Sequence, residues 1–200
     1  MILLNSAAQN IFWFGRYLSR IQHICSVLPF KNDDEAVEYA HSFCLPAWNA
    51  QTLNALFLDP EQPFSMAAQF KYVRDNIQQL RAVLSAHAYT ELNKLTKIVD
   101  EHNVAICDVV NDCSEVLEGE VEQVFLFYAL GRAVESLDQI CRIDGEDEGQ
   151  ISEIEKILTL LQSYGWNASQ MTWESLREDL CMKNLYQFCN EINFMFEDCQ

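Results

Sequence analysis

The sequence predicts an all-α fold: a single-domain bundle of about six or seven helices formed by residues 1–200. Three observations support this fold class. Apolar residues recur at alternating steps of three and four along most of the chain, which is the spacing of one helix face. No segment alternates with period two for long enough to form a strand. Half of the 200 residues are hydrophobic, and only six are glycine and four proline, a composition typical of a folded, helix-rich chain.

The first helix is predicted to begin at Ser6 and to end at Leu28. It has a seam of apolar positions that would pack against other helices: Ile11, Phe14, Leu18, Ile21, Cys25 and Leu28. Beside this seam lie Arg16 and Arg20, one helical turn apart and therefore on the same face.

Cap residues delimit the helices that follow. Acidic residues after Asn32 begin a second helix, where they suit the positive end of the helix dipole. A short helical segment is expected at residues 52–57. Ser65 then caps a long helix, and Thr90 caps another that continues in register to Cys113.

A later segment repeats the design of the first helix. It is predicted to begin at Phe127 and to end at Ile143. An offset of 116 aligns the two segments at adjacent pairs of residues: Gly15 with Gly131, and Arg16 with Arg132. This weak internal repeat indicates two related helices that pack together, and the two glycines would allow them to approach closely.

The last part of the chain is predicted to contain an acidic loop and two helices. The helices are expected at residues 152–164 and 173–196, with Gly165 closing the first and Thr172 capping the second. Residues 144–155 match several positions of an EF-hand calcium loop. Glu stands there in place of the shorter Asp or Asn, and there is no second loop to pair with, so we expect no calcium site.

The first helix carries a sequence that resembles the opening of the Alpha-E family, bacterial all-helical domains named for a Glu-Arg motif. Residues 10–20, Asn-Ile-Phe-Trp-Phe-Gly-Arg-Tyr-Leu-Ser-Arg, are similar to the family's Asn-Leu-Tyr-Trp-Leu-Gly-Arg-Tyr-Leu-Glu-Arg, which members repeat later as Leu-Gly-Arg-Leu-Leu-Glu-Arg. Further matches follow in the family's order as far as about Asp144: Asp59-Pro60, Pro63, Ser65, Arg74-Asp75-Asn76, Arg81 and Glu91-Leu92-Asn93. The chain resembles a shortened member with degenerate motifs.

The two copies of the Glu-Arg motif depart from the family pattern in different ways. Ser19 replaces the Glu of the first copy, which keeps Arg20. Ser136 replaces the Arg of the second copy, which keeps Glu135. If the two helices pack face to face, one reciprocal pair is lost whole and the other is kept, which leaves no buried charge unpaired. We therefore predict an ion pair between Arg20 and Glu135, either as a structural contact or as part of a ligand pocket.

The charge of the chain limits its partners. Thirteen Lys and Arg against thirty Asp and Glu give a net charge of −17. This argues against nucleic acid and against an anionic membrane as partners, because both bind clustered positive charge. No apolar run approaches the roughly 20 residues of a membrane span, and the start lacks the basic flank and cleavage site of a signal peptide. We therefore expect a cytoplasmic protein.

The eight cysteines are expected to be structural and reduced. They include no Cys-x-x-Cys pair and no Cys/His cluster at zinc spacing. Several fall in apolar seams, where a thiol behaves as a small hydrophobic group. We therefore expect no metal and no other cofactor.

The candidate binding residues are the arginines of the two motif helices and of a basic stripe, with one acid: Arg16, Arg20, Arg74, Arg81, Arg132 and Glu135. Guanidinium groups could hold a carboxylate or phosphate, or they could pair with neighbouring acids of the chain. His102, in a seam position, is expected to be a hydrogen-bonded core residue. We predict no catalytic residue, because no motif supplies a nucleophile, a metal or a phosphate loop.

Three functional hypotheses follow. The first is a non-catalytic helical adaptor. The Alpha-E resemblance implies company with ATP-grasp-type ligases and transglutaminase-like proteins in a peptide-synthesis or peptide-modification system. The second is a binder of a small molecule or peptide in an arginine-lined pocket, and the third, less favoured, is an enzyme. A pocket surrounded by arginines would support the binder, whereas a broad exposed apolar face would support the adaptor.

Overall fold

A computed structural model of the chain describes residues 3–101, 106–143, 145, 147, 149–168 and 170–197, the side chains of residues 100 and 101 excepted. This part is all-helical and contains no strand, which confirms the predicted fold class. It contains ten helices rather than six or seven: α1 (Asn5–Val27), α2 (Asp33–Ser42), α3 (Ala50–Leu58), α4 (Met66–Gln79), α5 (Ala86–Glu101), α6 (Ile106–Glu118), α7 (Glu122–Arg142), α8 (Gln150–Ser163), α9 (Gln170–Glu178) and α10 (Met182–Glu197). None of these helices is long and apolar enough to cross a membrane.

The centre of the fold is the packing of α1 along α7. The apolar seams predicted on both helices are fully buried at these positions: Ile11, Phe14, Leu18, Ile21, Phe127, Leu130, Val134 and Leu137. Burying one such side chain contributes about 1.5–3 kcal/mol. Helix α1 ends where predicted to within one residue, because Pro29 holds the preceding Leu28 in an extended conformation (φ −81°, ψ 147°).

Two glycines set the distance between α1 and α7. A Cβ atom added to Gly15 would overlap the carbonyl oxygen of Tyr128. A Cβ atom added to Gly131 would overlap the carbonyl oxygen of Phe12. The offset of 116 that aligns the glycines also aligns Phe12 with Tyr128. The contact of Gly15 with Tyr128 is therefore equivalent to the contact of Gly131 with Phe12. Backbone atoms cannot move aside as a flexible side chain can, and the crossing therefore requires glycine on both helices.

Helices α2 and α3 form a smaller apolar cluster beside the end of α1. Asn32 caps α2 by accepting from the backbone N–H of Asp34 at 2.8 Å, and Asn49 caps α3 in a capping box with Thr52. The capped helices pack their apolar faces together with one residue of α1: Ile24, Ala36, Ala40, Ala50, Leu53, Leu56 and Phe57. This cluster forms one wall of the pocket described below.

The region predicted as one helix from Thr90 to Cys113 differs from the prediction. Helix α5 begins four residues earlier than Thr90, because the Ser85 Oγ accepts from the N–H of Ala88 at 3.1 Å and caps the helix. The structure has two helices here, α5 and α6. His102, which the sequence predicts to be a core residue, lies in the segment between them, outside the described residues.

The region predicted as one helix at residues 173–196 is also two helices, α9 and α10. The amide of Asn184 donates to the carbonyl oxygens of Ser175 (3.2 Å) and Asp179 (2.9 Å), which ties the start of α10 to the end of α9. Thr172 lies inside α9 rather than at its cap. The chain turn before α9 is as predicted: Gly165 has a positive φ of 90° and closes α8.

The prediction of reduced cysteines is wrong for one pair. Cys25 on α1 and Cys107 on α6 form a disulfide across 82 positions of sequence. Spacing could not reveal this pair, because the packing of α1 on α6 brings the residues together. Five cysteines of the described part are free: Cys44, Cys113, Cys141, Cys181 and Cys189. Burial, with a smaller contribution from nearby Asp112, raises the pKa of Cys113 to about 12, which keeps that thiol unreactive.

Candidate functional site

A pocket of about 290 Å³ opens where α1 and α7 face the α2–α3 cluster. Its polar wall is formed by two residues of α1 and four of α7: Arg20, His23, Glu135, Asp138, Gln139 and Arg142. Positions three and four apart share one face of a helix, so the eight-residue span from Glu135 to Arg142 places all four α7 side chains along the pocket. The volume is at the lower end of the roughly 300–1,000 Å³ typical of small-molecule sites.

At the base of this pocket one carboxylate binds two arginines. The Nε and Nη2 atoms of Arg20 donate to Glu135 Oε1 at 2.6 Å and Oε2 at 2.9 Å. Arg16 Nε donates to the same Oε2 at 2.8 Å. The side chains of Glu135 and Arg16 are only 2% and 10% exposed, whereas Arg20 is 34% exposed. The contact between Arg20 and Glu135 is therefore present, and Arg16 adds a second guanidinium that the sequence did not indicate.

The charges of this Arg16–Glu135–Arg20 cluster stabilise one another. Burial alone would raise the pKa of Glu135, but the charges of Arg20 and Arg16 and their hydrogen bonds hold it below its usual value. Burial alone would lower the pKa of Arg20, but Glu135 raises it above its usual value. Both groups are therefore ionised at neutral pH. The carboxylate is committed to its two partners and is a poor general base.

A second ion pair lines the pocket one helical turn further along α7. Arg142 Nε donates to Asp138 Oδ2 at 2.7 Å, and Arg142 Nη2 donates to the hydroxyl of Tyr186 at 3.1 Å. The guanidinium also lies 5.6 Å from the ring centroid of Phe43, within range of a cation–π contact. Arg142 thus ties α7 to the end of α2 and to α10.

The opposite wall of the pocket is aromatic and carries four rings: Tyr39, Phe43, Phe57 and Phe64. Tyr39 stacks on Phe43 with 4.5 Å between ring centroids, and the imidazole of His23 stacks on Tyr39 at 5.9 Å. Burial lowers the pKa of His23, with Glu135 opposing it, so the imidazole is neutral at pH 7. Burial also raises the pKa of Tyr39, which remains a phenol.

Three buried polar atoms at this pocket have no hydrogen-bond partner among the described residues. They are Nε2 of His23, Oε1 of Gln69 and Nε2 of Gln139. An unpaired buried donor or acceptor costs about 1–3 kcal/mol, so folded proteins seldom keep one without a reason. Three unpaired buried atoms of the described residues therefore belong to side chains that line one concave site.

The structure separates the other predicted binding residues from this pocket. Arg81 is exposed just after α4, with its guanidinium 5.9 Å from the ring centroid of Tyr89. Arg74 is half-buried on α4. Arg132 pairs with Glu118 at 3.5 Å, and both side chains are exposed. Of the six candidates, Arg20 and Glu135 line the pocket, and Arg16 lies behind them in contact with Glu135.

In the ranges that the structure covers, no three His, Cys, Asp or Glu side chains are grouped to hold a metal ion. Three acids of the EF-hand-like segment, Asp144, Glu146 and Glu148, lie outside those ranges. The last acid of that segment, Glu155, accepts a hydrogen bond from Arg177 at 2.9 Å.

Several pocket residues escaped the sequence prediction. Asp138, Gln139 and Arg142 follow Glu135 at helical spacing, and this polar stripe beside the α7 seam was a usable signal. His23 and Gln69 gave no such signal, because each is a single polar residue on a helix whose partners come from other segments. The aromatic wall comes from α2, α3 and the loops beside them, and only the fold brings it to α7.

The fold and site together define an all-helical domain with a buried Arg–Glu–Arg cluster that opens on a polar–aromatic pocket. The chain matches the model of the Alpha-E family, described as a predicted alpha-helical domain with a conserved ER motif, over residues 3–177. The chain therefore belongs to the Alpha-E family, and the match extends beyond Asp144, where the motif resemblance fades. No match was found among curated proteins or among solved structures. Arg20 and Glu135, which the resemblance assigns to the Glu-Arg motif, contact each other in the pocket.

Proposed function

We propose that the protein is a non-catalytic binding protein whose ligand occupies the pocket beside Arg20 and Glu135. The observation that carries this proposal is the set of three unpaired buried polar atoms, on His23, Gln69 and Gln139, around one concave site. Retaining them lowers the stability of the free protein, and a ligand that hydrogen-bonds to them would recover that loss. Arg20 and Glu135 are the proposed binding residues, and Arg16 holds the Glu135 carboxylate in place.

The state of the pocket's acids favours binding over catalysis. Glu135 and Asp138 both accept hydrogen bonds from guanidinium groups. The lowered pKa of Glu135 makes that group a weak proton acceptor near neutral pH. His23 is neutral, but its ring stacks on Tyr39, and no acid is hydrogen-bonded to its buried Nε2 within the described part of the chain.

The wider context of the proposal rests on family membership. The Alpha-E resemblance implies an accessory role, as an adaptor or binder, in a peptide-synthesis or peptide-modification system with an ATP-grasp-type ligase or a transglutaminase-like protein. The cytoplasmic location that the sequence predicts is part of this proposal. We further propose that residues 1–200 act as one domain and that α1 and α7 are copies of one repeat. The matched glycine contacts at an offset of 116 support the repeat.

The proposal is tested by ligand-observed NMR with a fixed set of small carboxylic acids, amines and neutral amides. We expect saturation transfer from the protein to at least one compound. Gln139→Leu should abolish this transfer while leaving the protein as stable as before or slightly more stable, because it removes an unpaired buried amide.

A matched control comes from a second cleft, between α8 and α9, which Gln162 lines. Gln162→Leu makes the same chemical change outside the proposed site and should leave the NMR signal unchanged. Absence of transfer from every compound, or equal loss in the two variants, would contradict the proposed binding site. Consumption of a bound compound by the wild-type protein would contradict the non-catalytic assignment.

A further inference from the structure

The charges at the pocket do not balance. Three guanidinium groups and two carboxylates line the pocket or lie directly behind it, as two separate ion-paired groups that leave one excess positive charge: Arg16 and Arg20 with Glu135, and Arg142 with Asp138. This excess occurs in a chain whose net charge is −17. A local field opposite in sign to the rest of the molecule attracts an anion to this one concave site.

The geometry of Arg20 directs that charge into the pocket. Its Nε and Nη2 atoms face Glu135, which leaves the Nη1 side of the guanidinium outside the ion pair. Arg20 also lines the pocket and is the most exposed member of the cluster, at 34%. The unpaired Nε2 of Gln139 is a second donor at the same pocket. Two donors of this kind suit the two oxygens of a carboxylate.

The anion must carry a single charge. Glu135 and Asp138 both line the pocket and each accepts hydrogen bonds from a guanidinium group, and together the five groups leave only one positive charge unbalanced. A dianionic phosphate or phosphonate would meet both acids and exceed the available charge, because like charges within a few ångströms repel strongly in a partly buried site. A monocarboxylate matches the excess charge.

The remaining surface of the pocket specifies the body of the ligand. Four aromatic rings form the wall opposite Arg20, and two of them are stacked with centroids 4.5 Å apart. Offset or edge contacts between aromatic rings stabilise a complex beyond the area that they bury. A planar apolar body would therefore lie on this wall while its anionic group reaches α7.

We infer that the pocket binds a small monocarboxylate with an aromatic body, its carboxylate held by Arg20 and Gln139 and its ring packed on Tyr39 and Phe43. This inference rests on the proposed function, since it names the chemical class of ligand for the same site. Gln69 Oε1, an unpaired acceptor, takes a hydrogen bond from a donor group on the ligand or from water.

The test uses four probes, measured against the full chain by NMR titration at a pH above the second pKa of the phosphonate, so that the phosphonate is a dianion. They are 3-phenylpropionate, its neutral amide, the matched 2-phenylethylphosphonate, and 3-cyclohexylpropionate. We expect 3-phenylpropionate to bind at least tenfold more tightly than the amide and the phosphonate, and several-fold more tightly than the cyclohexyl acid. This comparison needs only the wild-type protein, so it stands even if a variant fails to fold.

Two arginine variants test which guanidinium group causes the preference for the acid over the amide. Arg20→Gln and Arg16→Gln each remove one partner of Glu135, but only Arg20 lines the pocket. Arg20→Gln should reduce the preference for acid over amide to less than threefold, while Arg16→Gln should retain most of it. Circular dichroism of both variants establishes that they are folded before the titration.

The outcomes separate this inference from the proposed function. If the amide binds as tightly as the acid and both are lost in Gln139→Leu, the carboxylate assignment is wrong and the binding site stands. If the phosphonate binds most tightly, the monoanion argument is wrong. If no probe binds and the broader compound set also shows no transfer, the inference and the proposed function fail together.

Discussion

The Arg16–Glu135–Arg20 cluster predicts how the fold responds to the loss of one charge. Glu135→Gln keeps the size and shape of the side chain but removes the counter-ion of both arginines. Removing one partner of a buried ion pair costs about 3–5 kcal/mol. Arg20 is 34% exposed and can be hydrated, whereas Arg16 is 10% exposed and cannot, so the lower end of that range applies. We expect a loss of about 3 kcal/mol, or about 6–12 °C in melting temperature for a chain of this size.

The pH dependence of this loss follows from the lowered pKa of Glu135. A carboxyl whose pKa is lower in the folded than in the unfolded chain stabilises the fold fully above its unfolded pKa, about 4.3. The contribution disappears as the pH falls through the lower, folded value. The difference between wild type and Glu135→Gln should therefore be complete at pH 7 and should shrink below about pH 4.

Urea unfolding followed by circular dichroism at a series of pH values measures both effects. Glu118→Gln is the matched control, because Glu118 pairs with an arginine at 3.5 Å but is 55% exposed. That substitution should change the free energy of unfolding by less than about 1 kcal/mol. Equal unfolding midpoints for wild type and Glu135→Gln at pH 7, or a difference between them that grows on acidification, would refute the reasoning.

Two further predictions concern the helix crossing and the disulfide. Gly15→Ala should destabilise the fold by about 3 kcal/mol or more, because its Cβ would overlap the Tyr128 carbonyl. Gly119→Ala is the control and should be nearly neutral, because its Cβ would lie 3.5 Å from its nearest neighbour. Equal melting temperatures for the two variants would argue against a tight crossing. Alkylation of the unfolded, unreduced protein should modify the five free cysteines of the described part and leave Cys25 and Cys107 blocked, and modification of Cys25 and Cys107 would contradict the disulfide.

The sequence predicts the contact between α1 and α7 well, because residues on each helix indicate which residues of the other helix they contact. Their seams define which faces are buried, and the complementary losses at Ser19 and Ser136 indicate which charges remain to be paired. The role of Arg16 was not predictable in the same way. A carboxylate can accept from two guanidinium groups at once, so counting one partner for each charge underestimates what Glu135 binds.

The number of helices could not be read from periodicity alone. Apolar residues lie on both sides of the break between α9 and α10, Trp173 and Leu176 before it and Leu185 and Phe188 after it, so the region resembles one apolar helix although the seam changes register there. The pocket could not be predicted from the sequence either. Its residues come from α1, α2, α3, α4 and α7 and the loops beside them, and each is an ordinary helix or loop residue until tertiary packing brings them together.

The matched contacts of the two crossing glycines allow a prediction about the lost ion pair. The offset of 116 relates Glu135 to Ser19, Arg20 to Ser136 and Arg16 to Arg132, so a Glu at position 19 would have two arginines to bind, as Glu135 has now. Ser19 is 8% exposed, and Arg132 is 3.5 Å from the exposed Glu118, a weak pair that it can leave.

Ser19→Glu alone should destabilise the fold, because it buries a carboxylate with one distant partner, and adding Ser136→Arg should recover about 1–3 kcal/mol of that loss as coupling energy. Ser19→Gln with Ser136→Arg has the same size without the acid and should show no such coupling in urea unfolding at pH 7. Strictly additive effects of Ser19→Glu and Ser136→Arg would mean that α1 and α7 are not related by the symmetry that their glycine contacts suggest.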